Sequence, residues 1–438
     1  MAAGRLAPGD RLPATRQLAA ELGVSRGVVV QAYQRLTDEG LAAARTGSGT
    51  VVTGRPGTRR PALDRRRTLD ELRLPLSTPD GIDLNLSPGV PDLSAFPRTA
   101  WLRAERTVLD RVTGSDLGYG DPGGAPGLRS QLVGWLSRTR GVRAEADDVV
   151  VTAGVAQGLA LLAQVLRGEG VSDVAVEDPG SRGATDQLAY WGMRTTGVAV
   201  DDEGMRTDLL ADAAAALLTP AHQFPTGVVL SPGRRRTLLA WPGLIIEDDY
   251  DAEHRYDRSP VAALQGSAPE RVAYLGSVSK SLAPGMRLGW LVAPRRMQTA
   301  LLAAKHATDL GNPAVPQLVL AELLASGDYE RHLRAVRERQ RRRRDALLGA
   351  LRAHLPGARV AGVAAGLHLL VMLEGYGDTP DTVLAERVAA AGVMVHPLSW
   401  HRRRPGPPGL VIGYAAHPPD RLAEAAGRIG MALSPPGR

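Results

Sequence analysis

The chain runs to 438 residues, 44% of them apolar, with no cysteine and a net charge of +7. That length exceeds one ordinary hydrophobic core and predicts two or three domains; the missing cysteines exclude a disulfide frame and a thiolate metal site. No apolar run is long enough to cross a bilayer and residues 1–10 lack the apolar stretch of a signal peptide, so a cytoplasmic chain with no membrane partner is expected.

Residues 1–54 read as a unit with its own logic. Pro8-Gly9-Asp10 is a turn, and Leu12-Pro13 sets the entry to a helix over about 15–22 with Leu18, Ala19 and Leu22 as its buried stripe. Gly23 breaks that helix, and Ser25 is a good N-cap for a second one running to about residue 39. Val28, Ala32, Tyr33 and Leu36 are expected on its inner face. Gly40 ends it, and residues 41–52 read as a two-strand ribbon turning at Gly47-Ser48-Gly49. Two short helices with a glycine turn, then a ribbon, make the pattern of a winged helix-turn-helix. Ser25, Arg26 and Gly27 fall at the exposed start of the second helix, where an arginine reaches base edges or phosphates.

Residues 55–80 form a linker, because Arg55-Pro56-Gly57 and Arg65-Arg66-Arg67 combine charge and breakers with few apolar anchors. Beyond residue 81, apolar runs at 149–151, 174–176, 244–246, 272–275 and 288–292 read as buried strands of a mainly parallel sheet. Helical stretches such as 156–167 separate several of them, which predicts an α/β architecture with helices on both faces. From about Tyr329 one long arginine-rich helix precedes strand and helix pieces of a smaller α+β lobe. The run Arg341–Arg344 fits a nucleic-acid patch or a solvated helix face.

Four motifs fall at strand ends, where ligands bind in an open α/β sheet. Thr152-Ala153-Gly154-Val155-Ala156-Gln157 follows a strand and opens a helix, so its backbone amides can cradle a phosphate; alone, such a turn is a weak signal. Glu247-Asp248-Asp249-Tyr250-Asp251 masses acids that need a cation nearby, either a metal or a protonated ring nitrogen. Lys280 follows the next strand and is one of only two lysines, with Lys305, in a chain that otherwise uses arginine. Arginine supplies charge but cannot lose its proton to become a nucleophile, so a retained lysine is either a leftover surface charge or a chemical amine. Arg287 lies seven positions further on. A phosphate cradle, a carboxylate, a lysine and an arginine together describe one ligand, pyridoxal 5'-phosphate: its aldehyde bonds an amine, its ring nitrogen needs an acid, and its phosphate needs amides and a guanidinium.

The N-terminal residues Leu12-Pro13-Ala14-Thr15-Arg16, Leu22-Gly23-Val24-Ser25-Arg26 and Arg45-Thr46-Gly47-Ser48-Gly49-Thr50 resemble the DNA-binding domain of GntR-type bacterial regulators. The resemblance implies that Arg16, Ser25, Arg26 and Gly27 face double-stranded DNA and that Gly47 lets the wing approach it. Such domains carry a helix ahead of the Pro-Gly-Asp turn, so either the start codon is assigned too late or the domain is truncated at its first helix. Residues 81–438 resemble the fold-type I aminotransferases, with a large lobe at about 115–310 and a small lobe at about 311–438 plus 81–114. Tyr119-Gly120-Asp121-Pro122, Glu177-Asp178-Pro179-Gly180, His222-Gln223-Phe224-Pro225-Thr226-Gly227 and the acidic run match the wording of the MocR subgroup.

That resemblance implies a Schiff base at Lys280, an Asp248 pairing with the pyridine nitrogen, and a Tyr250 bonding the ring hydroxyl. Val155, Ala156, Ser279 and Arg287 are expected around the phosphate, and Tyr119 is expected to reach it from the second subunit of a homodimer. Three departures bear on activity. Ser181 stands where a tyrosine usually stacks on the cofactor, Phe224 stands in the usual asparagine position, and Val411 stands where an arginine usually grips the substrate carboxylate, with Arg402, Arg403 or Arg404 as candidate replacements. The expectation is a regulator that senses the cofactor, or an amine or amino-acid effector, through Lys280. The alternative is an aminotransferase with real turnover.

Overall fold

A computed structural model of the chain describes residues 6–45, 49–53, 81–210, 213–251, 253–257, 261–376 and 379–434. The chain divides into two compact units, Met1–Ser77 and Thr78–Arg438, and each has its own core.

In the first unit, α1 (Thr15–Leu22) ends at Gly23, whose φ of +64° a residue without Cβ adopts freely. Ser25 takes the extended N-cap conformation before α2 (Arg26–Asp38), yet its hydroxyl makes no capping bond. The inner face of α2 carries the expected Tyr33 and Leu36 but turns in Val29 in place of Val28 and Ala32. Val29 and Tyr33 are buried with Ala19, packed by Leu12, Leu18 and Leu36, whereas Val28 is 54% exposed, Leu22 is 63% exposed, and Ala32 is also exposed. The Tyr33 hydroxyl donates to the Pro13 carbonyl at 2.8 Å. Strands β1 (Ala42–Arg45) and β2 (Gly49–Val52) pair antiparallel. Residues 9–12, expected to be only a turn and entry, run beside β2: Leu12 N donates to Thr50 O, and Val52 N to Asp10 O. The wing tip 46–48, including Gly47, and the linker region 54–80 lie outside the described residues.

The second unit opens with β3 (Leu84–Asn85), α3 (Arg98–Leu109) and α4 (Pro126–Arg140). Then come β4 (Val149–Thr152), α5 (Val155–Gly168), β5 (Asp173–Asp178), α6 (Arg182–Tyr190), β6 (Arg194–Asp201), β7 (Gly204–Met205), β8 (Ala215–Leu218) and α7 (Pro232–Ala240). Strands β9 (Leu244–Asp248), β10 (Val272–Ser277) and β11 (Gly289–Val292) complete an eight-stranded sheet in the order β4-β11-β10-β9-β8-β5-β6-β7. The pairs from β10 through β6 are parallel, while β11 runs antiparallel to both of its neighbours. The carboxyl ends of β4, β5, β9 and β10 therefore open on the same edge.

Helices cover both faces of the sheet. Helix α5, α6 and α8 (Arg295–Asp309) pack on one face through residues such as Leu161, Leu188 and Leu301. On the other face, Trp135 of α4 meets Trp290 and Tyr329 edge-on, beside Leu320 of α9 (Ala314–Ala325). Ala104 of α3 lies in that same core, so 98–109 and 314–325, grouped by sequence with the small lobe, pack with the large sheet.

Helix α10 (Asp328–His354) leads out to a four-stranded antiparallel sheet of β12 (Arg359–Ala361), β13 (His368–Met372), β15 (His396–Pro397) and β16 (Gly409–Gly413). Between β13 and β15 lie α11 (Asp381–Ala390) and β14 (Val393–Met394), and β14 pairs with β3; α12 (Pro419–Leu433) closes the lobe against α10. The run 341–344 does not form one solvated face. Arg341 and Arg342 are exposed, but Arg343 turns inward and reaches Asp92 at 2.7 Å, together with Arg339. No helix among the described residues is long and apolar enough to cross a membrane.

Candidate functional site

The acidic run at the end of β9 resolves into separate environments because neighbouring residues on a strand point to opposite faces. Glu247 accepts from the Leu264 and Gln265 amides. Asp249 is gripped at both oxygens by the buried Arg140, at 2.6 and 2.9 Å, and by the Tyr274 hydroxyl at 2.6 Å. Asp251 lies 2.8 Å from His222 Nδ1. Asp248 is the exception: its Oδ1 is buried with no hydrogen-bond partner. Burial, then the charges of Asp249 and Asp251, push its carboxyl up to about 7. Among the described residues of this run, Asp248 Oδ1 is the one buried carboxylate oxygen without a hydrogen-bond partner.

Lys280 follows β10, and its Nζ donates to the Gly89 carbonyl at 2.5 Å. Gly89 has φ +81°, and a Cβ there would stand 3.2 Å from that nitrogen, so glycine gives the amine room. Burial holds the Lys280 amine below the usual lysine range, against the opposing pull of Asp251 and Asp248. A buried amine that gives up its proton more readily is the form that attacks a carbonyl. The Tyr250 hydroxyl lies 3.1 Å from His222 Nδ1, and burial raises it well above the ordinary phenol range.

At the end of β4 the chain turns through Gly154, φ +84°, into α5. The first-turn amides of Val155 and Ala156 have no acceptor within the helix. Arg287, itself in the left-handed region at φ +48°, donates to the Ala153 carbonyl, with its guanidinium against Gly154. Gly289 of β11 closes the floor: a Cβ there would lie 2.8 Å from the Gly154 Cα. The Ser279 amide donates to Ser277 Oγ at 3.3 Å. Amides, a guanidinium and a bare helix start make an anion cradle.

The fold thus brings Lys280, Asp248 and Tyr250 to one carboxyl edge, with Val155, Ala156 and Arg287 beside Gly154 on the same edge. Tyr119 does not reach them within the chain and is 86% exposed. Val411 is buried in β16 opposite Leu370 and His396. Of the candidate replacements, Arg402 donates to the Gly406 and Pro407 carbonyls and Arg403 to Thr195, while Arg404 is exposed. Ser181 instead caps α6 through the Ala184 amide and borders a cavity of about 20 Å³ shared with Asp248. Phe224 packs edge-on against Tyr250, His368 and His401. Burial drives His368 and His401 down to about 3, so this wall is neutral.

Sequence reasoning missed Arg140, Gly89 and the pairing of His222 with Asp251. The first two lie far along the chain from their partners and carry no local signal. His222 was visible in its motif, but its role was not.

Comparison with known proteins places both parts of the chain in known families. Residues 82–429 match the family "Aminotransferase class I and II" and residues 1–52 match "Bacterial regulatory proteins, gntR family". Among solved structures, LysN, the alpha-aminoadipate aminotransferase of Thermus thermophilus complexed with N-(5'-phosphopyridoxyl)-L-leucine, aligns with TM-score 0.73 and 27% identity. That alignment covers 84% of this chain and 94% of LysN. A GntR winged helix joined to an aminotransferase fold defines the class. Within that class, the chain belongs to the MocR subgroup of GntR-type transcription regulators. It is 33% identical to the pyridoxine biosynthesis transcriptional regulator PdxR of Corynebacterium glutamicum, over 99% of this chain and 93% of PdxR. It is 30% identical to the probable rhizopine catabolism regulatory protein MocR of Rhizobium meliloti, over 98% and 91%.

Proposed function

We propose that this regulator binds operator DNA through its first unit and holds pyridoxal 5'-phosphate in its second, responding to the cofactor or to an amine or amino acid that competes for it. The observation that carries this reading is the orphaned, buried Asp248 Oδ1 amid acids that are otherwise satisfied. A buried acceptor without a donor is costly, and a protonated ring nitrogen answers it.

When bound, the cofactor supplies an aldehyde able to bond an amine reversibly. Lys280 offers that amine, Asp248 holds a proton on the ring nitrogen, and Tyr250, backed by His222 and Asp251, orients the ring hydroxyl. Val155, Ala156, Ser279 and Arg287 bind the phosphate. Tyr119, exposed on its own chain, serves the partner site of a homodimer. Arg16, Ser25, Arg26 and Gly27 meet the DNA, with Gly47 at the wing. The effector shifts the balance between two placements of the DNA-binding units, which requires that it bind the two states unequally.

Turnover as an aminotransferase is the weaker reading. Val411 cannot grip a carboxylate, and the guanidinium groups of Arg402 and Arg403 are engaged elsewhere.

The purified chain with added cofactor is expected to show the visible band of lysine-linked pyridoxal, and Lys280→Ala to lose it; an unchanged spectrum in the variant sinks the assignment. A gel shift on DNA upstream of the regulator's own gene is expected to be salt-sensitive and to disappear in Arg26→Ala. Unaltered binding by that variant overturns the DNA face.

A further inference from the structure

The second lysine of the chain is also enclosed. Lys305 lies in α8 with its side chain fully buried, and its Nζ donates to both oxygens of Asp309, at 2.6 and 2.8 Å. Asp309 does more than neutralise it. Asp309 Oδ2 accepts from Gln157 Nε2 at 2.6 Å, and Oδ1 accepts from the Gly311 amide at 3.0 Å. Gln157 in turn accepts the Ala153 amide at 2.7 Å. Ala153 is thereby held on both sides of its Cα, its N–H by Gln157 and its carbonyl by Arg287. This is the residue that leads into Gly154 and the amides of Val155 and Ala156.

We propose that Lys305, acting through Asp309 and Gln157, is a positioning residue for the phosphate cradle, and that its task cannot be done by arginine. The inference rests on the reading that this cradle takes the phosphate of pyridoxal 5'-phosphate. An ammonium is compact and satisfied by one carboxylate, whereas a guanidinium carries five donors in a rigid plane and needs more acceptors and more room. The Lys305 side chain is fully buried, and its hydrogen-bond acceptor is the partly exposed Asp309. Where this chain elsewhere uses arginine, lysine survives at the one amine that can react and at the one that braces the anion site.

Lys305 touches neither the amine nor the ring end of the site, so its loss is felt through the phosphate alone. The test titrates pyridoxal 5'-phosphate and phosphate-free pyridoxal into the full chain, following absorbance, for wild type, Lys305→Met, Lys305→Arg and Gln157→Ala. The expected result is pyridoxal 5'-phosphate binding weaker by about tenfold or more in each variant, the scale on which lost supporting partners loosen a bound group. Pyridoxal affinity stays within about twofold. Equal losses for both ligands mean general damage to the fold and overturn the proposal, as does unchanged phosphate-ligand binding. Gln157→Ala alters a half-buried side chain and keeps the test sound if the Lys305 variants fail to fold. A wild type that takes up neither ligand overturns the cofactor reading itself, whereas uptake with equal losses removes only the brace.

Discussion

Asp248 is charged at the expense of the ligand-free fold. Its carboxyl titrates at about 7 in the folded chain against an ordinary 3.8. Below about pH 3.8 the group is protonated in both states and takes nothing from stability. As pH rises toward 7 the unfolded chain gives up this proton first, so folding loses stability until the folded group ionises as well. Asp248→Asn is therefore expected to stabilise the ligand-free protein at pH 8 by about 1–3 kcal/mol, a gain that fades toward pH 4. Under the proposed function the same variant is expected to bind pyridoxal 5'-phosphate more weakly, because an amide does not offset a ring cation. Urea melts at the two pH values, with a cofactor titration, check both halves. A variant no more stable at pH 8 than wild type means the orphaned oxygen is answered within the apo fold.

At the scale of elements, the proposed cradle depends on β11, whose Gly289 packs against the turn at Gly154. Gly289 of β11 lets its backbone pass against Gly154, and an added Cβ would meet the Gly154 Cα and the Gly276 carbonyl. Both obstacles are backbone and cannot swing aside. Gly289→Ala is expected to cost about 1–3 kcal/mol in stability, as overpacking does, and to weaken cofactor binding more than an alanine on an exposed strand. Denaturant unfolding and absorbance titration measure the two effects, and normal affinity in a stable Gly289→Ala protein rules out the close approach.

The strands that form this edge were legible as apolar runs, since 149–151, 244–246 and 272–275 are buried on both faces. Two other strands of the sheet, β6 and β8, were not. In β6, Arg194-Thr195-Thr196-Gly197 is only partly buried and carries little apolar signal, while β8 begins Ala215-Ala216 after further alanines and reads as helix by propensity. Tertiary packing overrides that preference, leaving all four residues of β8 buried between β5 and β9. The identities of Lys280, Asp248 and Tyr250 could be read from motif order. What answers Asp249 could not, because Arg140 lies 109 positions away.

For the whole molecule, the two units have separate cores, so each is expected to keep its fold when the connection is cut. Residues 55–67 concentrate arginine among prolines and glycine, so their sequence offers several bonds of the kind trypsin cuts. Brief digestion is expected to leave a fragment containing 81–438 that keeps the visible band of bound cofactor and no longer shifts DNA. Loss of the band on cleavage shows that the second unit depends on the first.

The Gly89 carbonyl gives the site a mechanical side. It belongs to a segment stitched into the small lobe, where β3 pairs with β14 and the Leu86 carbonyl takes the Gly413 amide. Lys280, by contrast, springs from the large sheet. The Lys280–Gly89 hydrogen bond therefore fastens the end of β10 to the strand-bearing segment of the small lobe. Under the proposed function, a guest that claims the amine would cut that fastening, so loading the site and loosening the small lobe would be one event.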